Sequence, residues 1–98
     1  MIERILTVKG QLGLHARAAA KLVRVASGFQ SHLSLERLDG SSTADAKSIL
    51  SVLMLAAGRG TKLRVIADGD DEAEAMMALD GLFAEAFGEL EQRVKVDD

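Results

Sequence analysis

The stretch SHLSLERLDGSSTADA, residues 31–46, alternates apolar and polar side chains, breaks at Asp39-Gly40 and resumes as a short extended segment. Leu33 and Leu35 fall on one face and Ser34 and Glu36 on the other, the period of a strand that is buried on one side and wet on the other. The DGSS turn marks a hairpin and makes the second segment an edge strand. A strand pair with a single apolar face needs covering on that face only, which points to a two-layer α+β domain.

Outward from the hairpin, TKLRVIAD (residues 61–68) alternates in the same way, with Leu63, Val65 and Ala67 opposite Lys62 and Arg64. Residues 2–8, with Ile5, Leu6 and Val8 ahead of Gly10 and Gly13, read as the first strand. Between Ala16 and Ser27 the apolar Ala19, Leu22, Val23 and Ala26 recur at helical spacing, Arg17, Lys21 and Arg24 share the opposite face, and Gly28 supplies the stop. KSILSVLML (47–55) is a short apolar helix ended by AGRG. The last helix opens with Asp71 as N-cap and Glu74 reaching back as in a capping box. Its stripe comprises Ala75, Met76, Leu79, Leu82, Phe83 and Ala86, and Asp70, Asp71 and Glu72 place negative charge near its positive end. ELEQRVKVDD (89–98) is a charged extension expected to fray. The expected fold is an open-faced two-layer sandwich, a four-stranded antiparallel sheet covered on one face by three helices in the order βαββαβα. It forms one domain over residues 1–98.

Ninety-eight residues with 48% hydrophobic content suffice for one core of modest size. A net charge of −3 and only three aromatic residues, all phenylalanine, provide neither a basic field nor a stacking platform for nucleic acid. The absence of cysteine removes disulfides, thiolate metal sites and cysteine nucleophiles, and two histidines are too few for a conventional zinc cluster. Charges interrupt the apolar amino terminus MIERILTVKG, and no later run has the length of a membrane span or signal core. A cytoplasmic chain without membrane insertion is expected, with no metal and no cofactor. Gly58 and Gly60 are too few and wrongly placed for a nucleotide loop. His32 reads as a surface residue, and Met76 and Met77 as core and rim.

His15 remains, in LGLHARAAAK (residues 12–21). If Gly13 makes the turn and the helix begins at Ala16, the imidazole occupies the N-cap, beside first-turn amides that lack intrahelical partners. The positive field there disfavours imidazolium, favours a neutral nucleophilic ring and welcomes an attached phosphoryl group. Arg17 on the same turn can add a charge-assisted contact to phosphate oxygens. The small side chains of Ala16, Ala18, Ala19 and Ala20 leave the approach open. Spacing alone favours the plainer alternative, a polar residue closing a turn.

GLHARAAAKLV (13–23) resembles the active-site signature of the histidine-containing phosphocarrier (HPr) family of the phosphoenolpyruvate-dependent phosphotransferase system. The likeness continues through AKSILSVLML (46–55) and RVIADGDDEAEAM (64–76) and spans about residues 5–90. It implies the fold read above, and a carrier rather than a stand-alone enzyme. By this resemblance His15 accepts a phosphoryl group on Nδ1 from Enzyme I and passes it to a sugar-specific or nitrogen-regulatory acceptor domain, while Arg17 and the backbone of Ala16 and Arg17 hold the phosphate. Ala18 stands where the family usually has proline, which would preset the first helical turn; alanine is a good helix former and is expected to preserve the cradle.

Ser48 matches the serine that HPr kinase/phosphorylase modifies in some members; the alternative is a plain N-cap. Ile49, Leu50 and Leu53 cannot all face the sheet from so short a helix, so part of this surface is expected to be exposed beside His15. With Ala20, Lys21 and Arg24 it would form the docking patch for partners of a monomeric carrier. Other readings are a nitrogen-branch regulatory carrier, an interaction module that is never phosphorylated, and a small-ligand sensing domain.

Overall fold

The structure, a computed structural model, describes residues 1–88. The expected extension over residues 89–98 lies outside them. The elements run β1 (Ile2–Thr7), α1 (Ala16–Ala26), β2 (His32–Arg37), β3 (Thr43–Asp45), α2 (Ile49–Met54), β4 (Lys62–Asp68) and α3 (Glu72–Ala84). This is the expected βαββαβα order, and the four strands form one antiparallel sheet in the order β1-β4-β2-β3. β4 lies between β1 and β2, and β2 between β3 and β4. Each of the first two helices therefore carries the chain across an inserted strand.

The register explains the two faces. Leu33, Leu35, Leu63, Val65 and Ala67 are buried on the helix side, with Leu35 opposite Val65 and Leu33 opposite Ala67. They pack into one core with Leu22 and Ala26 of α1, Val52 of α2, and Met76, Leu79 and Phe83 of α3. On the open face Arg64 bridges Glu3 at 3.4 Å and Glu36 at 3.2 Å. Such exposed pairs contribute little, about 0–1 kcal/mol each. The alternation that fixes the buried set thus also fixes which strand face stays wet.

Two local expectations fail. Asp71 is the N-cap of α3, but its side chain does not cap the helix, so no capping box with Glu74 forms. Its carboxylate instead accepts the amides of Gln30 and Ser31, at 2.8 and 2.9 Å, and the Ser31 hydroxyl at 2.5 Å. Ser31 is fully buried, and a buried hydroxyl without a partner costs more than a lost cap. The approach is close enough that a Cβ at Gly69 would sit within 3 Å of Ser31.

The second failure is at the end of α3, which stops at Ala84 although its apolar stripe was expected to run to Ala86. Ala86 and Phe87 take left-handed backbone conformations, at φ 52° and 56°. That turn buries Phe87 and sets its ring edge-on to Phe83, with centroids 5.0 Å apart. Left-handed non-glycine residues cost roughly 1–2 kcal/mol each. Burying a phenylalanine contributes about 3 kcal/mol and an aromatic pair about 1 kcal/mol, enough to offset the turn.

Candidate functional site

The loop before α1 is built on Gly13, which adopts φ +65° and donates its amide to Gly10 O at 3.0 Å. Leu14 follows with its side chain buried and its amide bonded to Ala57 O at 2.9 Å. His15 is thereby delivered to the N-cap of α1 in extended conformation, φ −73° and ψ 179°. Its carbonyl accepts the Ala19 amide at 2.8 Å, the first bond of the helix, so the amides of Ala16, Arg17 and Ala18 precede the intrahelical ladder. The half-buried His15 side chain makes no cap bond to them. No acidic residue occurs in the first turn of α1, so the helix's own side chains there add no negative charge to the positive end of its dipole.

Arg17 is exposed, one residue into the helix from Ala16, and its side chain makes no hydrogen bond or ion pair among the described residues. Ala16 is exposed and Ala20 half-buried, but Ala18 and Ala19 are fully buried. The last two therefore belong to the core rather than to an open approach: their small size lets α1 lie close to the other layers. Arg24 is exposed in the last turn. Lys21 is half-buried, and its Nζ donates to Phe87 O at 3.2 Å, tying α1 to the left-handed turn after α3.

Ser48 is the N-cap of α2, and its hydroxyl accepts the Ser51 amide at 3.3 Å. The Ser51 hydroxyl accepts the amide of Asp45, joining α2 to β3. Along α2, Val52 is buried and Leu53 partly buried against the core, whereas Ile49, Leu50 and Met54 are 44%, 65% and 73% exposed. Leu12, in the loop before His15, is 71% exposed. Met54 and Leu12 were not singled out from sequence; for Met54 the signal was an apolar run too long for one face of a six-residue helix, whereas Leu12 sits in a loop that carries no such periodicity.

Among the described residues no group of three or more His, Cys, Asp or Glu side chains is placed to hold a metal, and no helix is long and apolar enough to cross a membrane. No buried polar side-chain atom among them lacks a partner. Among the described residues, one cleft is lined by Arg37, Leu38, Asp39, Thr61 and Lys62 and another by Lys9 with residues of β1 and α3; His15 lines neither.

A family model described as the PTS HPr component phosphorylation site matches residues 2–85. The chain belongs to the HPr phosphocarrier family. It is 51% identical over 89 residues to the phosphocarrier protein HPr of Xylella fastidiosa (strain Temecula1), covering 91% of this chain and 98% of the relative. The HPr of Cupriavidus necator is 48% identical over the same length, with the same coverage. The crystal structure of an HPr from Thermoanaerobacter tengcongensis superposes with a TM-score of 0.85 at 39% identity, over 91% of this chain and 98% of that one. The open sheet with three helices is thus the HPr architecture, and the general work of the family is phosphoryl transfer within the phosphotransferase system.

Proposed function

We propose that His15 is the phosphoryl acceptor, receiving the group from phosphorylated Enzyme I and passing it to a sugar-specific or regulatory acceptor domain. The observation that carries this reading is the position of His15: at the N-cap of α1, facing the positive end of the helix, with exposed Arg17 in the first turn and no acidic residue in that turn. The Nδ1 lone pair attacks phosphorus as the bond from phosphorus to the donor breaks, and the donor leaves with that electron pair. With the proton held on Nε2 throughout, no proton need move. The phosphoryl oxygens then meet the amides of Ala16 and Arg17 at the positive end of α1, and the Arg17 guanidinium adds a charge-assisted contact. Onward transfer is the same step in reverse toward the acceptor.

Docking is assigned to Ala20, Lys21, Arg24, Ile49, Leu50 and Leu53. Exposure of Ile49 and Leu50 supports the apolar part, and exposure of Arg24 the basic part. Lys21 contributes less as a free charge, because its ammonium is engaged by Phe87. Ser48 is assigned as a site for HPr kinase/phosphorylase: phosphate at the start of α2 would bring negative charge to the face that meets acidic partner surfaces. The carrier acts in the cytoplasm as a monomer.

Incubation with Enzyme I and phosphoenolpyruvate, followed by intact-mass measurement, is expected to show one added phosphoryl group that is lost in acid. His15→Ala is expected to abolish it. Equal modification of the variant would refute the assignment, and an unmodified wild-type chain would favour an interaction module that is never phosphorylated.

A further inference from the structure

Arg37 ends β2, outside every motif that points to His15, yet its guanidinium reaches the back of the loop that supports the histidine. Nη1 donates to Leu55 O at 3.1 Å and to Ala56 O at 3.4 Å, and Nε pairs with Asp39 at 3.6 Å. The acceptors are carbonyls at the C-terminal end of α2, where intrahelical donors run out. α2 is only six residues long and has no basic residue in its last turn, so Arg37 supplies the positive charge that this end lacks. Immediately afterwards Ala56 takes a left-handed conformation, φ 51°, and Ala57 O accepts the Leu14 amide at 2.9 Å. Residues 55–57 are therefore held from one side by Arg37 and bear on the His15 loop from the other.

We propose that Arg37 is a positioning residue for phosphoryl transfer, acting through the bond between Ala57 and Leu14. This rests on the reading of His15 as the acceptor. Holding the two carbonyls fixes the turn at Ala56, which fixes the direction of Ala57 O. That oxygen sets where Leu14 lies, and the residue after Leu14 is the N-cap. A loop that drifted here would misalign the ring and the first-turn amides together, and small misplacements are costly in group transfer.

Arg37→Met and Arg37→Lys test the proposal by amide hydrogen exchange and by phosphoryl-acceptance kinetics with Enzyme I as donor. In Arg37→Met the Leu14 amide is expected to exchange about tenfold faster while the β4 amides keep their protection. The acceptance kcat is expected to fall about tenfold with KM for the donor unchanged. Lysine, which can still bond one carbonyl, is expected to restore most of both. The proposal is overturned if Leu14 exchange is unchanged in Arg37→Met, if it rises only in step with β4, or if Leu14 loosens and kcat does not move. A wild-type chain that accepts no phosphoryl group would refute the acceptor reading instead, and unchanged Leu14 exchange would still refute the clamp.

Discussion

Gly13 packs against Ala57 so closely that a Cβ built on it would stand 2.5 Å from the Ala57 carbonyl oxygen and 2.7 Å from the Gly58 α-carbon. Its φ of +65° is a second obstacle to any side chain. Because both neighbours are backbone, neither can swing aside. Gly13→Ala is expected to destabilise the fold by about 2–3 kcal/mol, in the range of overpacked interiors. Urea denaturation measures this directly, and a loss below about 0.5 kcal/mol, the size of an ordinary surface change, would show that the loop yields freely.

Ala56 presents the opposite case. It is exposed and left-handed, so its methyl group makes the turn costly without contributing to the core. Relief of left-handed strain is worth about 1–2 kcal/mol, against about 0.4–1 kcal/mol for the added freedom of glycine in the unfolded chain. Ala56→Gly is therefore expected to stabilise by about 0.5 kcal/mol, raising Tm by roughly 2–4 °C for a domain of this size. A lower Tm would mean that the strain is not borne at Ala56.

These two positions show where reading the sequence succeeds and where it stops. β2 and β4 were legible because one-sided burial imposes a period of two on Leu33, Leu35, Leu63, Val65 and Ala67. The insertion of β4 between β1 and β2 was not, since alternation names a buried face and not a neighbour. His15 was legible as an N-cap because Gly13 and the helix start at Ala16 are local signals. Arg37 was not, because its acceptors lie 18 and 19 residues away on a turn that exists only once α2 has packed. Asp71 misled in the same way: the local capping rule was overridden by buried Ser31, forty residues distant. Ala18 and Ala19 misled because smallness signals close packing as readily as an open approach.

The carboxylate of Asp71 is held below its ordinary value, first by the Ser31 hydroxyl and then by the amides of Gln30 and Ser31. Glu72 is lowered as well, by the Gly69 amide and the Met1 ammonium. A depressed folded value means that the stabilisation is complete above the ordinary carboxylate range, near pH 4, and drains away as pH falls through the lower value. Tm is expected to be flat from neutral pH to about 5 and to drop steeply below about 4. Asp71→Asn is expected to lower Tm at neutral pH and flatten the acid limb. An acid limb identical to wild type would rule out Asp71 as a source of the slope.

Ser48 combines a structural role with its proposed regulatory one, and two substitutions separate them. Ser48→Ala removes the acceptor of the Ser51 amide and is expected to cost about 1 kcal/mol, the usual worth of an N-cap. Ser48→Asp retains a capping oxygen, so stability is expected to stay near wild type while the added charge raises KM for the phosphoryl donor. Unchanged KM in the aspartate variant would leave Ser48 with the cap alone.

Arg17 is where stability and transfer are expected to part most clearly. It is exposed and makes no side-chain bond among the described residues, so Arg17→Gln is expected to shift stability by no more than about 0.5 kcal/mol, as surface changes do. In transfer the same side chain meets a developing anion, and a hydrogen bond to a charged group is worth about 1.5–3 kcal/mol, or roughly 10–100-fold in rate. Arg17→Lys keeps the charge but not the planar fork and is expected to fall between the two. Rapid-quench measurement of phosphoryl acceptance, alongside thermal melts of the same samples, reads both quantities. A wild-type rate in Arg17→Gln would leave the first-turn amides as the whole cradle.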